Sequence, residues 1–362
     1  MIRSQKIILI VVAAVLVASA GVFGIVVFVT WGDYEYSDTF YYKPGSPSLI
    51  EVLNIECDTA TINIKYNKTP TDFYAKIDLD LKVSGAYVEG KSYSDFFKPY
   101  LWDNTTNSPV TFDIDNKPST WFIFGLSHRS TLNVTLRTDV IYEIDASSAT
   151  GAIIMDVPEG STLDKITLHT STGSVRLNSA LNTTFQDEVR LSTSTGSVKT
   201  YVTKTSFTKG LITSTSTGSL TLNFTSCIFG DDLSGVVSTG SITLKSYNMK
   251  YTQDCDWDIE TSTGSINAEI LQFNEMGANV NCSLISSTGN IDILYKDDQI
   301  NVGARFTSST STGSISYTDT NPTGFNQVGN TFTSLDYGTG LSKYRISLTT
   351  STGSIGVDAE SE

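Results

Sequence analysis

Charged residues are scarce in this chain: they make up 17% of its 362 residues, and basic residues are the scarcer kind. The 24 lysines and arginines are outnumbered by 38 aspartates and glutamates, which gives a formal net charge of -14. A surface of that sign repels nucleic acid and anionic lipid, so we exclude both as main partners.

Histidine and cysteine are rare too, with two and four residues in the whole chain. The sequence has no nucleophile elbow, no phosphate-binding loop and no pair of histidines spaced as metal ligands. We expect His128 to lie in a loop and His169 just before a corner of the chain, both exposed to solvent. The sequence therefore predicts no catalytic residue, no metal site and no cofactor, and it favours a protein that is not an enzyme.

Acidic residues gather in short clusters, which are the remaining candidates for a cation site. The clusters are Asp187 and Glu188, Asp231 and Asp232, Asp254, Asp256 and Asp258, and Asp297 and Asp298. A calcium ion needs roughly six to eight oxygen ligands converging on one point, and sequence spacing does not show convergence. Most of the clusters fall between the repeats described below, so we interpret them as solvated surface loops.

Residues 7–31 contain no charged side chain. A helix of that length measures about 37 Å, which is enough to cross a bilayer with some tilt. Arg3 and Lys6 precede the segment and Asp33 follows it, which places the amino terminus in the cytoplasm. We predict a cytoplasmic tail at 1–6, a single-pass transmembrane signal anchor at 7–31 and an extracellular remainder.

Two other interpretations of this segment stay open. The small residues from Ala18 to Gly21 resemble a signal-peptide cleavage site. Cleavage there would leave a strongly apolar new terminus, which favours the uncleaved anchor. A pilin-like leader is the other alternative, but no glycine stands before a cleavage point and no glutamate lies early in the helix.

An extracellular location gives meaning to two further features. Six Asn-X-Ser/Thr sequons are candidates for N-glycosylation, at Asn67, Asn104, Asn133, Asn182, Asn223 and Asn281. Cysteines pair readily outside the cell, and Cys227 and Cys255 lie 28 residues apart, a little over one repeat. A disulfide between these two and a set of buried free thiols are both compatible with the sequence. None of the four cysteines has the close spacing of a zinc site.

What the sequence has in abundance is one short polar word, TSTGS followed by an aliphatic residue, which returns with small variations. Its glycines are Gly151, Gly173, Gly196, Gly218, Gly240, Gly264, Gly289, Gly313 and Gly353. The first seven steps between them are 22 to 25 residues and the last is 40. A period in the low twenties is the length of one solenoid coil, so we predict a β-solenoid at 146–358 with an inserted loop near 318–341.

Apolar residues flank each glycine at fixed offsets. The residue two positions after it is aliphatic in all nine copies, and the residue seven positions before it is apolar in all nine. Alternation at spacing two, rich in β-branched residues, predicts strands with one buried face. Because the offsets are even after the glycine and odd before it, the backbone has to bend at the glycine. The expected fold is an all-β parallel β-helix with coils of 22 to 25 residues.

The threonine immediately before the glycine is present in all nine copies, from Thr150 to Thr352. In stacked coils these hydroxyls would form a ladder with a spacing of about 4.8 Å. We therefore interpret the word as a structural corner and not as a ligand site. A degenerate copy with Ala60 in the glycine position extends the pattern upstream, and we expect residues 32–145 to open the solenoid and cap its near end.

The repeated (T/S)STG(S/N) word, the aliphatic residue after it and the coil length together resemble the putative adhesin family, β-helical domains of unknown function. The resemblance covers residues 49–357. It implies a β-helix and, through the family name, adhesion, and it implies no catalytic residue. The family often carries an acidic residue directly after the glycine, and this chain has serine, asparagine or alanine there.

Three functions are compatible with these features, in decreasing order of support. The first is a membrane-anchored cell-surface protein that binds surface glycans or proteins through loops on a rigid rod. The second is a subunit of a surface lattice or filament. The acidic residues Asp358, Glu360 and Glu362 at the carboxyl end would repel another chain, so we expect a monomer. The third, an enzyme acting on polysaccharide, has little support in the residues.

Overall fold

The structure is a computed structural model that describes residues 31–46, 48–67, 72–86, 88–103, 109–117, 127–297, 302–319, 324–339 and 342–361. The predicted membrane segment at 7–31 lies outside these ranges except for Trp31, which is the first residue of a strand. Within the described ranges, no helix has the length and apolar composition that crossing a membrane requires.

Strands dominate the described chain, and the predicted all-β, solenoid-like architecture is confirmed. The strands that lead into the corner glycines form a first face together with β2 (Glu51–Thr59), which leads to Ala60, and β6 (Val110–Ile114), which pairs with β2. These strands are β8 (Tyr142–Thr150), β11 (Ile166–Thr172), β18 (Leu233–Thr239), β21 (Cys255–Thr263), β23 (Val280–Thr288), β25 (Val302–Thr312) and β29 (Ser342–Thr352). Two longer strands, β14 (Val189–Thr203) and β16 (Leu211–Thr225), continue through the corner.

The strands that leave the corners form a second face together with β7 (Ser127–Arg137), which pairs with the first of them. These strands are β3 (Thr61–Asn67), β9 (Ile153–Val157), β12 (Val175–Ser179), β19 (Ile242–Tyr247), β22 (Ile266–Gln272), β24 (Ile291–Asp297), β26 (Ile315–Asp319) and β30 (Ile355–Ser361). A third face holds a separate sheet of short strands: β10 (Thr162–Leu163), β13 (Thr183–Phe185), β15 (Thr205–Phe207), β17 (Ile228–Phe229) and β20 (Lys250–Tyr251). From coil to coil the strands pair in parallel, in a register that aligns the repeats.

Apolar side chains from the three faces meet in one continuous core. The residues two positions after and seven positions before the corner glycines are buried, with one exception. Ile315, in the last strand of its face, is only partly covered. On the third face, the rings of Phe185, Phe207 and Phe229 stack on one another with centroids 5.2 and 5.0 Å apart. Burial of this kind stabilises each coil against its neighbours and explains why aromatic residues recur at one offset.

The near end of the stack is closed by antiparallel strands and a short helix. Strand β1 (Trp31–Tyr42) pairs with β4 (Ala75–Ala86), and β4 pairs with β7. The helix α1 (Tyr93–Phe96) and strand β5 (Leu101–Asp103) lie in the segment that interrupts the repeats. The Phe40 ring packs against Tyr100 and Phe112 at about 5 Å, so aromatic side chains cover the end of the core here.

Stacking order departs from chain order at the far end. Strand β29 pairs in parallel with β23 on one side and with β25 on the other. Strand β30 lies in the same way between β24 and β26. The C-terminal coil is therefore inserted between the coil of Gly289 and the coil of Gly313. From the sequence we expected coils stacked in chain order, with the coil of Gly353 outside that of Gly313 and a long loop between them. The structure differs, because the coil of Gly353 lies between those of Gly289 and Gly313.

The interval 318–341 contains a β-hairpin. Its strands are β27 (Phe325–Val328) and β28 (Thr331–Ser334), followed by a 3-10 turn at Leu335–Gly338. Strand β28 pairs antiparallel with β25, the outermost strand of the first face. The Phe332 ring lies 4.7 Å from Phe325 and 5.0 Å from Tyr317, so the hairpin covers the apolar end of the core.

Candidate functional site

The nine repeat glycines form a single column along the stack. Each has φ between 138° and 148°, a conformation that residues with a Cβ rarely adopt. A Cβ built on any of them would lie 1.6 to 2.1 Å from the carbonyl oxygen of the residue below it in the column, which is Ala60 for Gly151 and another repeat glycine for the rest. Ala60 itself does not have a positive φ, and alanine is accommodated there. The column runs Gly289, Gly353, Gly313 at its far end, in stacking order.

A hydroxyl three positions before the glycine closes every corner except that of Gly240, where Val237 stands. These side chains donate to the glycine carbonyl of the coil below, over 2.9 to 3.3 Å, in seven coils: Thr170, Thr193, Thr215, Thr261, Ser286, Thr310 and Thr350. Ser148 makes the same bond to the carbonyl of Ala60. The sequence pointed to the threonine just before the glycine as the side chain that holds the corner, whereas the hydrogen bond to the glycine carbonyl comes from the residue three positions before the glycine. The threonines before the glycine are aligned in register and exposed.

Of the two possibilities that the sequence left open, a Cys227–Cys255 disulfide and buried free thiols, the structure has the second: all four cysteines are buried free thiols. Cys227 opens the third face, and the backbone of Lys250 donates to its carbonyl oxygen, so its neighbour in the next coil is Met249. Cys255 instead begins β21 on the first face, opposite Val280. The two thiols therefore lie on different faces. Burial raises the pKa of Cys227 to about 11 and that of Cys255 to about 12.

Both histidines are more buried than expected. His128 lies in β7 and not in a loop, with its ring 5.1 Å from Phe97 and its Nε2 2.6 Å from the Ser130 hydroxyl. Burial lowers its pKa to about 4. The Nδ1 of His169 lies 2.8 Å from the Ser192 hydroxyl one coil away. Each has a structural partner, and neither lies in the groove described below.

The acidic clusters are held by local hydrogen bonds. Within the described ranges, no three His, Cys, Asp or Glu side chains come together as metal ligands. Glu188 pairs with Arg190, and Asp254 accepts from the backbone and side chain of Asn279. Asp297 is fully buried and accepts from the Tyr295 hydroxyl, whereas its neighbour in the sequence, Asp298, lies outside the described residues.

The sequon asparagines have very different environments. Asn104 lies outside the described residues, and so do the two residues that complete the Asn67 sequon. Asn133 and Asn223 are partly buried within paired strands. Asn182 is exposed in a turn with φ of 59°, and Asn281 is exposed with its amide donating to Asp256 over 2.8 Å. Asn182 and Asn281 are thus the exposed candidates among those described.

A groove of about 590 Å³ opens on the first face near the far end, and we call it the distal groove. Four adjacent coils supply one row of outward side chains: Asp256, Asn281, Arg345 and Arg305, each paired in register with the next. A second row holds Asp258, Ser283, Ser347 and Thr307. The groove exists in this form because the C-terminal coil brings Arg345 between Asn281 and Arg305.

Hydrogen bonds hold the side chains at one end of the distal groove, and contacts with an aromatic ring hold those at the other end. The Asn281 side chain donates to Asp256 over 2.8 Å and accepts from Arg345 over 3.1 Å. At the other end, the Arg305 guanidinium lies 4.2 Å from the centroid of the Tyr337 ring, and the Lys343 ammonium lies 5.4 Å from it. Sequence reasoning missed this group of residues. Its one signal is that Arg305 and Arg345 both stand eight residues before a repeat glycine.

A second, smaller groove of about 410 Å³ lies on the second face of the same coils. Gly356 leaves space between Asp292 and Ser316, and Lys245 and Glu269 form an ion pair at its edge. Its charged groups are thus partly compensated by each other.

Comparison with known proteins found little similarity in sequence and two solved structures of low identity. No protein-family model matches the chain, and no curated protein sequence matches it. A putative cell adhesion protein from Clostridium sporogenes ATCC 15579 is 11% identical, with a TM-score of 0.26 over 90% of this chain and 100% of its own. A putative adhesin from Bacteroides fragilis NCTC 9343 is 9% identical, with a TM-score of 0.33 over 90% of this chain and 97% of its own.

Proposed function

We propose that this chain is a membrane-anchored, non-catalytic adhesin that displays its solenoid outside the cell and contacts its partner through the distal groove. The observation that carries this proposal is the groove itself, where carboxylates, guanidinium groups and hydroxyls lie on four consecutive strands. Because each strand is fixed by backbone pairing on both sides, the backbone of the groove needs little ordering when a partner binds.

The membrane anchor and its orientation are part of the proposal. The apolar segment at 7–31 and the basic residues before it support a cytoplasmic amino terminus. A carboxyl-terminal epitope tag on the full-length chain should then be accessible to antibody on intact cells. Staining only after permeabilisation would contradict this orientation.

A substitution that fills the groove tests the contact surface. Thr307→Trp places a large side chain in the distal groove, whereas Thr167→Trp places the same side chain at the equivalent offset of a distant coil. We expect cells displaying the full-length chain to adhere to other cells. Thr307→Trp should reduce the number of adherent cells at least tenfold, and Thr167→Trp should not.

Equal adhesion by both variants would show that the contact lies elsewhere on the molecule. A wild-type chain that is displayed at the surface and adheres to no cell would contradict adhesion itself. Display is measured by the same epitope tag, so loss of adhesion is separated from loss of expression.

The alternative of a surface lattice is favoured by one observation. Within the described chain, the outer strand of the second face, β26, pairs only with β30, and its Ile315 and Tyr317 are partly exposed. An unpaired edge of this kind promotes self-association. Light scattering from the full-length chain in detergent separates the two cases, because an adhesin monomer has a single discrete mass and a lattice subunit forms a concentration-dependent series.

A further inference from the structure

Two arginines in the distal groove lie side by side without a carboxylate partner. Arg305 and Arg345 are register partners on neighbouring strands and are both exposed. Among the described residues neither forms an ion pair, although the chain carries a net charge of -14. Like charges directly opposite each other in a sheet are destabilising. The position therefore has a cost that a bound anion would offset.

The surroundings concentrate positive charge further. Lys343 lies on the same strand as Arg345, and its ammonium shares the Tyr337 ring with Arg305. Cation–π contact holds these long side chains in place without neutralising them. Two cations thus contact one aromatic ring at one end of the groove, and a third, Arg345, is the register partner of Arg305, in a protein that is otherwise acidic.

The opposite end of the groove has the complementary chemistry. Asp256 and Asp258 are acceptors that suit hydroxyl groups, and Ser283, Ser347 and Thr307 form a floor of short side chains between the two ends. From Asp256 to Arg305 the row covers three strand spacings, or about 14 Å. A ligand that satisfies both ends carries an anionic group at one end and several hydroxyls along its length.

We propose that the distal groove binds a carboxylate-bearing saccharide, with the carboxylate on Arg305 and Arg345 and the hydroxyls on the aspartates. Guanidinium groups form strong, geometrically specific hydrogen bonds with a planar carboxylate, and the two here lie on neighbouring strands where one carboxylate can bridge them. This inference rests on the proposed function, since it names the chemical class of ligand for the same groove.

Titration calorimetry on the full-length chain in detergent tests the assignment. The probes are oligogalacturonate, a sulfated dextran oligomer and a neutral glucan oligomer of similar length. We expect oligogalacturonate to bind in a salt-sensitive manner and the neutral glucan not to bind. The double variant Arg305→Gln, Arg345→Gln should weaken oligogalacturonate binding at least tenfold. The matched control is Arg176→Gln, which removes an exposed arginine 4.9 Å from the Tyr201 ring on another face and should leave binding unchanged.

Three results would overturn the proposal: no binding of oligogalacturonate by the wild-type chain, equal loss in the control variant, or tighter binding of the sulfated oligomer. Cell adhesion of the same variants separates this inference from the proposed function. If the double variant still adheres while Thr307→Trp does not, the groove is the contact surface but its ligand is not an acidic saccharide. Thermal unfolding of the double variant should show no loss of stability, because both substituted side chains are exposed and the repulsion between them is removed.

Discussion

The hydroxyl of Thr193 donates to the carbonyl oxygen of Gly173, one coil below it, over 3.1 Å. The backbone hydrogen bonds between coils at this corner do not use the Gly173 carbonyl. The N–H of Gly173 donates to the Thr195 carbonyl, and the N–H of Ile153 donates to the Ser174 carbonyl. The hydroxyl therefore supplies a partner for a carbonyl group at the corner. An unpaired polar group at such a site would destabilise the stack.

One coil lacks this hydroxyl and provides a natural test. Val237 stands where the other coils have threonine or serine, and it is buried. We expect Val237→Thr to stabilise the protein by about 1 kcal/mol, since it adds a hydrogen bond to Gly218 with little change of shape. The reverse change, Thr215→Val, should destabilise by about 1 to 2 kcal/mol. Urea unfolding measures both, and the same sign for the two changes would contradict the role of the hydroxyl.

Because the repeat glycines stack closely in one column, adding a methyl group to one of them should strongly destabilise the protein. A Cβ on Gly218 would lie 1.6 Å from the Gly196 carbonyl oxygen, and φ at Gly218 is 145°. Gly218→Ala should therefore cost about 3 kcal/mol or more, from backbone strain and separation of the coils. Gly338→Ala is the control, because a Cβ there meets nothing within 4 Å. A melting temperature of Gly218→Ala equal to that of the control would contradict close stacking at the corner.

The sequence predicts the repeat much better than the groove. The period and the apolar residues at fixed offsets, such as Ile242 and Trp257, follow from side-chain alternation, which is a local property. The role of Thr193 escaped notice because the partner of its hydroxyl lies one coil below. The hydrogen bond from Arg345 to Asn281 escaped notice because it depends on stacking order, and the C-terminal coil does not stack in chain order.

Acid should destabilise the near end of the stack through His128. Its pKa in the folded protein is about 4, below the ordinary value of 6.5, because burial disfavours the charged ring. As pH falls, the unfolded chain therefore binds the proton before the folded protein does. The free energy of unfolding keeps its full value from this group above pH 6.5 and decreases as pH falls toward 4. Between pH 7.5 and 5 the loss is about 2 kcal/mol.

The matched variant for this effect is His128→Gln, which keeps a hydrogen-bonding group beside Ser130 and does not titrate. We expect the free energy of unfolding of wild type to fall by about 2 kcal/mol more than that of the variant over the same pH interval. Parallel pH profiles for the two proteins would show that His128 is not the responsible group.

Thiol chemistry should show four unpaired cysteines. Because all four are buried and burial raises the pKa of each thiol, we expect negligible reaction with Ellman's reagent in the folded protein. Denaturation without reductant should release four thiols per chain. Release of two would indicate that one pair, such as Cys227 and Cys255, is bridged after all.

The most direct test of the groove is the stacking order that assembles it. Thr288, Thr352 and Thr312 are exposed and lie on three successive strands in that order, with Thr352 paired in register to both of the others. Neighbouring strands are about 4.8 Å apart, within disulfide range, whereas Thr288 and Thr312 are two spacings apart, beyond it.

Oxidation of double-cysteine variants, read by mass spectrometry of proteolytic fragments, measures this order. We expect Thr288→Cys with Thr352→Cys to form a disulfide in high yield, and Thr288→Cys with Thr312→Cys to remain reduced. The opposite result, a bridge in the second pair and none in the first, would mean that the coils stack in chain order. Arg345 would then lie outside Arg305, and the distal groove would not exist as described.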